Sequence, residues 1–256
     1  MASYNFLVSR DASSISAEIS SDAFDRNPVL NNANEARSTP SLYGNTHRFV
    51  LAGIKRFEYG KGKYATTISI FGSWSSGNRF AYVYGGDINN DGTASNDLLY
   101  VPKNSEIDKM QFATLTDVNG IVQNAAAQKA AYKSFIAQDK YLSSRRGLYT
   151  EKYAGETPWF SQVDMRFLQD FYFKSGKKTK TVEVSLDIVN AGNLISSKWG
   201  VRKYATTSGY FQPISVTGVA NGVPTYQFDP SLKQTFIASP DLPSRWQAQI
   251  GLRFIF

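Results

Sequence analysis

The clearest pattern in the chain is a strict alternation of apolar and polar residues between Pro158 and Phe173. Its apolar side consists of Trp159, Val163, Met165, Phe167, Phe171 and Phe173, with Ser161 and Gln169 as exceptions. Its other side carries Gln162, Asp164, Arg166 and Asp170, together with Leu168. A period of two predicts a β-strand with one apolar face. At about 16 residues the strand is longer than most globular strands, and it is long enough to cross a bilayer at a tilt.

A short polar turn, Lys174–Lys178, follows this strand and leads into a second alternating run. The apolar side of the second run is Val182, Val184, Leu186 and Ile188, and its polar side is Glu183, Ser185 and Asp187. Two long alternating strands around a short turn predict a β-hairpin. The same alternation fits a soluble sandwich, so periodicity alone leaves open whether water or lipid lies outside.

The last strand, 245–256, ends the chain inside an apolar stripe. Trp246, Ala248, Ile250, Leu252, Phe254 and Phe256 form the stripe, opposite Gln247, Gln249, Gly251 and Arg253. Chain ends of soluble domains usually fray into water. The residues Gln249, Gly251, Leu252, Phe254 and Phe256 resemble the C-terminal assembly signal of outer-membrane barrels. The alternative is a buried last strand of a soluble sandwich.

The connections between the predicted strands alternate in length. Short ones lie near 58–63, 174–179 and 218–222, and long ones near 11–45, 77–157, 191–208 and 230–244. With a first strand at about 3–10, the count is eight strands, and the last one ends on the side of the short turns. Short turns on one side and long loops on the other are typical of an outer-membrane barrel.

The longest loop, 77–157, contains a predicted helix and a candidate metal site. An Ala-rich stretch from Asn124 to Tyr141 has helical spacing, with Asn124 as N-cap. Asp87, Asn89, Asp91 and Asp97 place oxygen ligands around Gly92 like the opening of a calcium loop, although Leu98 stands where the twelfth-position Glu is expected. We therefore consider two interpretations, a structural calcium site and an Asx-rich turn that needs no metal.

The charge and the residue composition of the chain exclude or disfavour several classes of function. The net charge of +7 comes from basic residues that are scattered or bracket turns, which does not favour nucleic-acid binding. The chain has no cysteine and a single histidine, His47, so the sequence excludes a thiolate metal site and a multi-His zinc site; it shows no nucleophile–base pair, and we predict that the protein is not an enzyme. The N-terminus shows no export signal, so either the chain is a fragment of a longer precursor or it does not reach the outer membrane.

Three stretches of the chain resemble one family. Tyr82–Pro102, Asp139–Phe171 and Val184–Val201 are similar to the barrel end of TonB-dependent receptors of the Bacteroidota, in the Oar-like and SusC-like branches. The likeness runs from about Thr46 to Phe256, in order and at similar spacing. It implies that residues 1–256 form the C-terminal part of a transmembrane antiparallel β-barrel, all-β in class and located in the outer membrane.

The resemblance also implies partners and a function. The family's barrel of about 22 strands surrounds a plug domain, takes up large or scarce ligands with energy from the TonB complex, and in some members has a surface lipoprotein lid. The remaining strands and the plug are absent from this sequence. The lipid bilayer would contact Trp159, Val163, Met165, Phe167, Phe171, Val182, Val184, Leu186, Trp246 and Ile250. Two alternatives remain: a self-standing eight-stranded adhesin or small pore, and a soluble calcium-dependent β-sandwich.

Overall fold

The computed structural model describes residues 1–14, 18–32, 34, 37–116, 120–176, 178–205 and 209–256. Strands account for 45% of the chain and helices for 15%, so the prediction of a mostly β protein is confirmed. Lys177, part of the predicted turn at 174–178, and residues 117–119 of the predicted long loop lie outside the described residues.

Six strands form one antiparallel sheet in which each strand pairs with its neighbours in the chain. They are β1 (Ala2–Phe6), β2 (His47–Tyr59), β3 (Tyr64–Ser75), β4 (Phe160–Ser175), β5 (Lys178–Val189) and β6 (Gln247–Ile255). The alternating runs of the sequence lie in β3 to β6, because a period of two suits a sheet whose two faces meet different surroundings. The hairpin predicted around residues 174–178 is confirmed by the pairing of β4 with β5.

All short turns lie at one end of this sheet and all long connections at the other. Tyr59 pairs with Tyr64 and Ser175 with Lys178 at the turn end, where β6 also finishes, since Ile255 pairs with Thr181. The connections 7–46, 76–159 and 190–246 all leave from the opposite end. At the first turn Lys61 has a positive φ of 55°, between glycines that also have positive φ, a conformation that glycine adopts at little cost.

The count of eight strands is wrong, because two of them belong to a separate small sheet. Ser215–Ala220 and Val223–Gln227 form a hairpin at the short connection predicted near 218–222, where the φ values of 52° for Asn221 and 76° for Gly222 suit a two-residue turn. This hairpin pairs with the short strand Gln111–Phe112 and not with the long sheet. Its strands of six and five residues are too short to extend alongside neighbours of 12 to 16 residues.

The long connections contain the helices and the other short strands. The helices are α1 (Ser20–Asp25), α2 (Asn104–Ile107), α3 (Ala125–Gln138), α4 (Lys140–Ser144) and α5 (Ala191–Ile195), with a 3₁₀ turn at Leu242–Ser244. The remaining strands are Arg10–Asp11, Thr39–Pro40, Arg79–Tyr82, Tyr100–Val101, Leu115–Thr116, Val122–Gln123, Leu148–Tyr149, Gly155–Glu156, Lys203–Tyr204, Tyr210–Phe211 and Ile237–Ala238. Among the described residues, no helix is both long enough and apolar enough to span a membrane.

The predicted helix is confirmed at its start and is shorter at its end. Asn124 caps α3, because its side-chain oxygen accepts a hydrogen bond from the Ala127 N–H at 2.9 Å. The helix stops at Gln138, since Asp139 adopts an extended conformation and becomes the N-cap of α4. The buried Asp139 carboxylate accepts hydrogen bonds from the Leu142 N–H and from the Tyr82 hydroxyl, which fixes this break in the helix.

The connections 76–159 and 190–246 pack together, and we call this unit the loop domain. Its main core consists of Phe80, Tyr82, Tyr84, Leu99, Val101, Ile107, Tyr132, Phe135, Ile136, Leu142, Ile214, Val216 and Phe228. Phe135 of α3 is 1% exposed, and its ring lies 5.6 Å from that of Phe228 and 6.3 Å from that of Phe211. The hydrophobic core of the protein therefore lies beyond the end of the long sheet and not on either of its faces.

Candidate membrane-spanning surface

One face of the long sheet collects the apolar side chains of all six strands, and we call it the apolar face. The register places Phe167 between Ile68 and Leu186, and Leu186 opposite Ile250. The ten residues expected to contact lipid all fall on this face. Eight of them lie within β4, β5 and β6, and Trp159 and Trp246 continue the same alternation just before β4 and β6.

The side chains of the apolar face are left uncovered by the rest of the chain. Ile250 and Leu252 are each 78% exposed, and Trp159 is 59% exposed. Among the described residues, Ala65 is the only apolar residue of the six strands that is buried. A contiguous apolar surface of this extent on a soluble monomer would be unfavourable, and it indicates contact with a membrane or a partner.

Aromatic side chains form a band across the apolar face at its loop end, which we call the loop-side belt. It comprises Tyr4, Phe6, Phe49, Trp74 and Trp159, grouped around His47. The His47 ring stacks on Trp159 at 5.8 Å, and its Nδ1 is hydrogen-bonded to the Tyr4 hydroxyl at 2.8 Å. The only histidine of the sequence therefore has a packing role in this belt.

A second aromatic band, the turn-side belt, crosses the same face at the other end. It comprises Tyr59, Tyr64, Phe171, Phe173, Phe254 and Phe256. Its rings contact each other across the strands, with Tyr64 and Phe171 edge-on at 5.9 Å and Phe173 and Phe254 at 6.1 Å. Sequence reasoning found the aromatic residues of single strands and missed that they align across the sheet.

The distance between the belts matches the apolar thickness of an outer membrane. Tyr64 and Trp74 stand ten residues apart in β3, which is about 33 Å along a strand. A strand tilted by 35–45° converts that length into about 25 Å across the membrane, the height of the apolar band of outer-membrane barrels. Aliphatic residues occupy the space between the belts, including Leu51, Ile68, Ile70, Val163, Met165, Val184, Leu186 and Ile250.

Polar exceptions on the apolar face include Lys55, Ser161 and Gln169, and the side-chain oxygen of Gln169 is satisfied locally. It accepts hydrogen bonds from the Thr66 hydroxyl at 2.6 Å and from the Tyr59 hydroxyl at 2.9 Å. These two partners lie at the turn-side belt, near the end of the sheet. A polar residue in this position is therefore compatible with an apolar face toward lipid.

The opposite face carries charged residues that pair with one another, and we call it the polar face. Arg56 of β2 donates to the Asp170 carboxylate of β4 at 2.9 Å, and Arg166 of β4 lies 3.3 Å from the Asp187 carboxylate of β5. Ile54 and Phe71 are apolar exceptions on this face and are exposed. A polar face with paired charges suits a water-filled lumen or a polar plug.

The candidate assembly residues lie in and just after β6, the last strand of the sheet. Leu252, Phe254 and Phe256 are on the apolar side, and Phe256 is 85% exposed. Gln249 and Gly251 are on the polar side, opposite Asp187 and Ser185. Their role in assembly stays a prediction from the sequence.

The Asp87–Asp97 segment forms a tight turn closed by its own hydrogen bonds. The Asp87 carboxylate accepts from the N–H groups of Asp91 at 3.1 Å and Gly92 at 2.8 Å. The Asn89 amide nitrogen donates to one Asp97 carboxylate oxygen at 2.6 Å, and the Ile88 N–H donates to the other at 3.1 Å. The four candidate calcium ligands thus lie in one turn.

The hydrogen bonds within this turn are those of an Asx-rich turn. Among the described residues, no group of three or more His, Cys, Asp or Glu side chains is arranged to hold a metal ion. The carboxylate oxygens of Asp87 and Asp97 are engaged by N–H donors, as in an Asx-rich turn. Calcium stays a hypothesis, and calorimetry of a chelated sample that shows no heat on addition of calcium would exclude it.

We expect the stability of the loop domain to depend on pH because of Asp97. Burial, with repulsion from Asp91 and Asp87, raises the pKa of Asp97 from 3.8 to about 6. The folded protein therefore holds a proton that the unfolded chain has released, so the contribution of Asp97 to stability is greatest below pH 4 and is lost as the pH rises to 6. We expect a loss of about 2–3 kcal/mol over this range, measured as the unfolding of the loop domain by near-UV circular dichroism. An Asp97→Asn variant is the control, since it should lose this part of the pH dependence.

Comparisons with models of protein families, with curated proteins and with solved structures find no match for this chain. Its function is therefore inferred from the two faces of the sheet, the belts that bound one of them, and the sequence resemblance described above.

Proposed function

We propose that this chain is the C-terminal part of an outer-membrane β-barrel of the TonB-dependent receptor class. The long sheet crosses the outer membrane with its apolar face toward lipid and its polar face toward the lumen. The observation that carries the proposal is the exposed apolar face, bounded by two aromatic belts that lie ten residues apart in β3, about 33 Å along the strand. Transmembrane barrels have this arrangement because aromatic rings favour the two membrane–water interfaces.

The soluble sandwich explains these observations less well. A sandwich buries the apolar face of a sheet against a second sheet. Here the apolar side chains of the sheet's apolar face are exposed or partly exposed, and the buried core lies in the loop domain. A membrane would cover the apolar face without any further protein layer.

The open edges of the sheet favour a larger barrel over a small self-standing one. Among the described residues, β1 and β6 each pair with one neighbour and not with each other. Unpaired backbone groups at a sheet edge are costly in lipid, so further strands must complete the barrel. The family resemblance implies these partners: the remaining strands, a plug domain inside the lumen, the TonB complex that the plug contacts and, as in some members of the family, a surface lipoprotein lid.

The position of the loop domain supports a role in ligand entry. All three long connections leave the sheet at the end away from the short turns, which in outer-membrane barrels is the extracellular end. The loop domain therefore lies where a ligand would arrive before energised uptake. The ligand class is large or scarce molecules, as the resemblance implies.

The test is the behaviour of the purified full chain in detergent and without it. We expect the chain to need detergent, to aggregate when detergent is removed, and to show no difference in gel mobility between boiled and unboiled samples. The missing mobility shift is expected because an open six-stranded sheet does not form the compact closed barrel that resists denaturation by the gel detergent. A soluble monomer without detergent would contradict the membrane assignment, and a clear mobility shift would favour the small self-standing barrel.

A further inference from the structure

The turn end of the sheet carries a concentrated positive charge. The segments 59–64 and 173–180 contain Lys61, Lys63, Lys174, Lys177, Lys178 and Lys180 and no Asp or Glu. These six lysines amount to nearly the whole net charge of +7. The two segments are more than 100 residues apart in the sequence, so only the fold brings their charges together.

Sheet pairing places the two turns side by side. The Tyr172 N–H donates to the Lys63 carbonyl oxygen at 2.8 Å, which joins the first turn to β4. Lys178 pairs with Ser175, and Lys180 pairs with Phe173. We call the described lysines of this end, Lys61, Lys63, Lys174, Lys178 and Lys180, the lysine rim.

The members of the lysine rim divide between the two faces of the sheet. Lys178 and Lys180 alternate with Val182 and Val184 along β5 and therefore lie on the apolar face. Lys180 is paired with Phe173, whose ring contacts Phe254 in the turn-side belt. Lys174 pairs with Thr179 on the polar face, and Lys63 lies beside Tyr172 on that face.

Protein groups do not neutralise these charges. Within the part of the chain that the structure describes, none of the five rim lysines forms a salt bridge. Glu58, the acidic residue closest in sequence to the first turn, is engaged by Arg56 at 3.2 Å. Two lysines without a salt bridge thus lie on the apolar face, Lys180 level with the turn-side belt and Lys178 just beyond it.

We propose that Lys178 and Lys180 bind the phosphate groups of anionic phospholipids in the membrane leaflet next to the turns. The proposal rests on the proposed function, because it requires the apolar face to be in contact with lipid. Headgroup phosphates lie at the depth of an aromatic belt, and a lysine can keep its aliphatic stem along apolar surface while its ammonium group reaches them. A lysine ammonium is a compact point charge suited to phosphate, and a negatively charged headgroup adds an attraction that a zwitterionic one lacks.

The experiment compares two double variants that remove the same charge from opposite faces of the lysine rim. The full chain is passed through gel filtration in neutral detergent that contains equal amounts of phosphatidylglycerol and phosphatidylcholine, and the lipid retained per protein is measured by mass spectrometry. We expect the unaltered chain to be enriched in phosphatidylglycerol by roughly fivefold or more, and the enrichment to fall in high salt. Lys178→Gln with Lys180→Gln should lose most of it, whereas Lys63→Gln with Lys174→Gln should keep most of it.

The possible results distinguish a failure of this proposal from a failure of the proposed function. Retention of both lipids without preference would overturn the phosphate site and leave the membrane-spanning sheet intact. Equal loss in both double variants would also overturn it, because the net charge of the rim and not the apolar face would then control binding. A chain that is soluble without detergent and retains neither lipid would contradict the proposed function itself. Far-UV circular dichroism checks that each variant keeps its strands.

Discussion

Replacing Ile250 with arginine should destabilise the sheet in phospholipid vesicles by about 2–4 kcal/mol. Ile250 lies on the apolar face between Trp246 and Phe254, midway between the two ends of β6. In a bilayer, its replacement by a charged guanidinium at mid-depth carries a large cost in free energy. In water the same change at a side chain that is 78% exposed would alter stability by less than about 0.5 kcal/mol. The measurement is equilibrium unfolding of the full chain in vesicles, followed by tryptophan fluorescence.

The neighbouring substitution Gln249→Arg is the matched control. Gln249 precedes Ile250 in the same strand, lies on the polar face and stands opposite Asp187. An arginine there lies on the polar face opposite a carboxylate, so we expect a change within about 0.5 kcal/mol. Equal destabilisation of the two variants would mean that a charge costs the same on both faces of the sheet. The proposal that the apolar face contacts lipid would then be wrong.

Phe135→Ala should destabilise the loop domain by about 3–5 kcal/mol. The Phe135 side chain is 1% exposed and packs against Phe211 and Phe228, so its removal leaves a cavity among rings that other elements hold in place. The long sheet makes its own hydrogen bonds and should keep its strands. The expected result is a loss of near-UV circular dichroism and faster cleavage of the loop domain by trypsin, with an unchanged strand signal in the far-UV.

Ser134→Ala provides the control for this variant in the same helix. The Ser134 side chain is not part of the core and donates only to the Ala130 carbonyl oxygen within α3. Its removal should change stability by less than about 0.5 kcal/mol, because alanine is the better helix former. If Phe135→Ala lost the far-UV strand signal as well as the near-UV signal of the loop domain, the sheet and the loop domain would unfold as one unit.

The long sheet could be predicted from the sequence because its strands follow a simple rule. The alternation of residues 158–173 appears as β4, and the last strand, 245–256, as β6. The hairpin around Asn221-Gly222 follows the same rule and was therefore counted as part of the sheet. Its Val216 side chain is buried in the loop domain instead, and only the shortness of its strands distinguishes it in the sequence.

The candidate surface could be predicted within single strands but not across them. The ten expected lipid-facing residues all lie on one face, because successive residues of a strand alternate between the two faces of the sheet. The belts and the lysine rim depend on the register between strands that are far apart in the sequence. Lys63 lies in the first turn and Lys174 near the end of β4, and the pairing of β3 with β4 brings these two segments together.

The core of the loop domain has a consequence for the order in which the protein forms. Phe80 packs against Phe211 and Phe236, residues from a connection that is separated from the first by β4 and β5. Contacts between such distant segments form slowly, because a long loop must close before they are made. On the proposed placement, both connections must also cross the membrane before these rings meet. The extracellular side is then the last part of the chain to reach its native state, after the strands are in the bilayer.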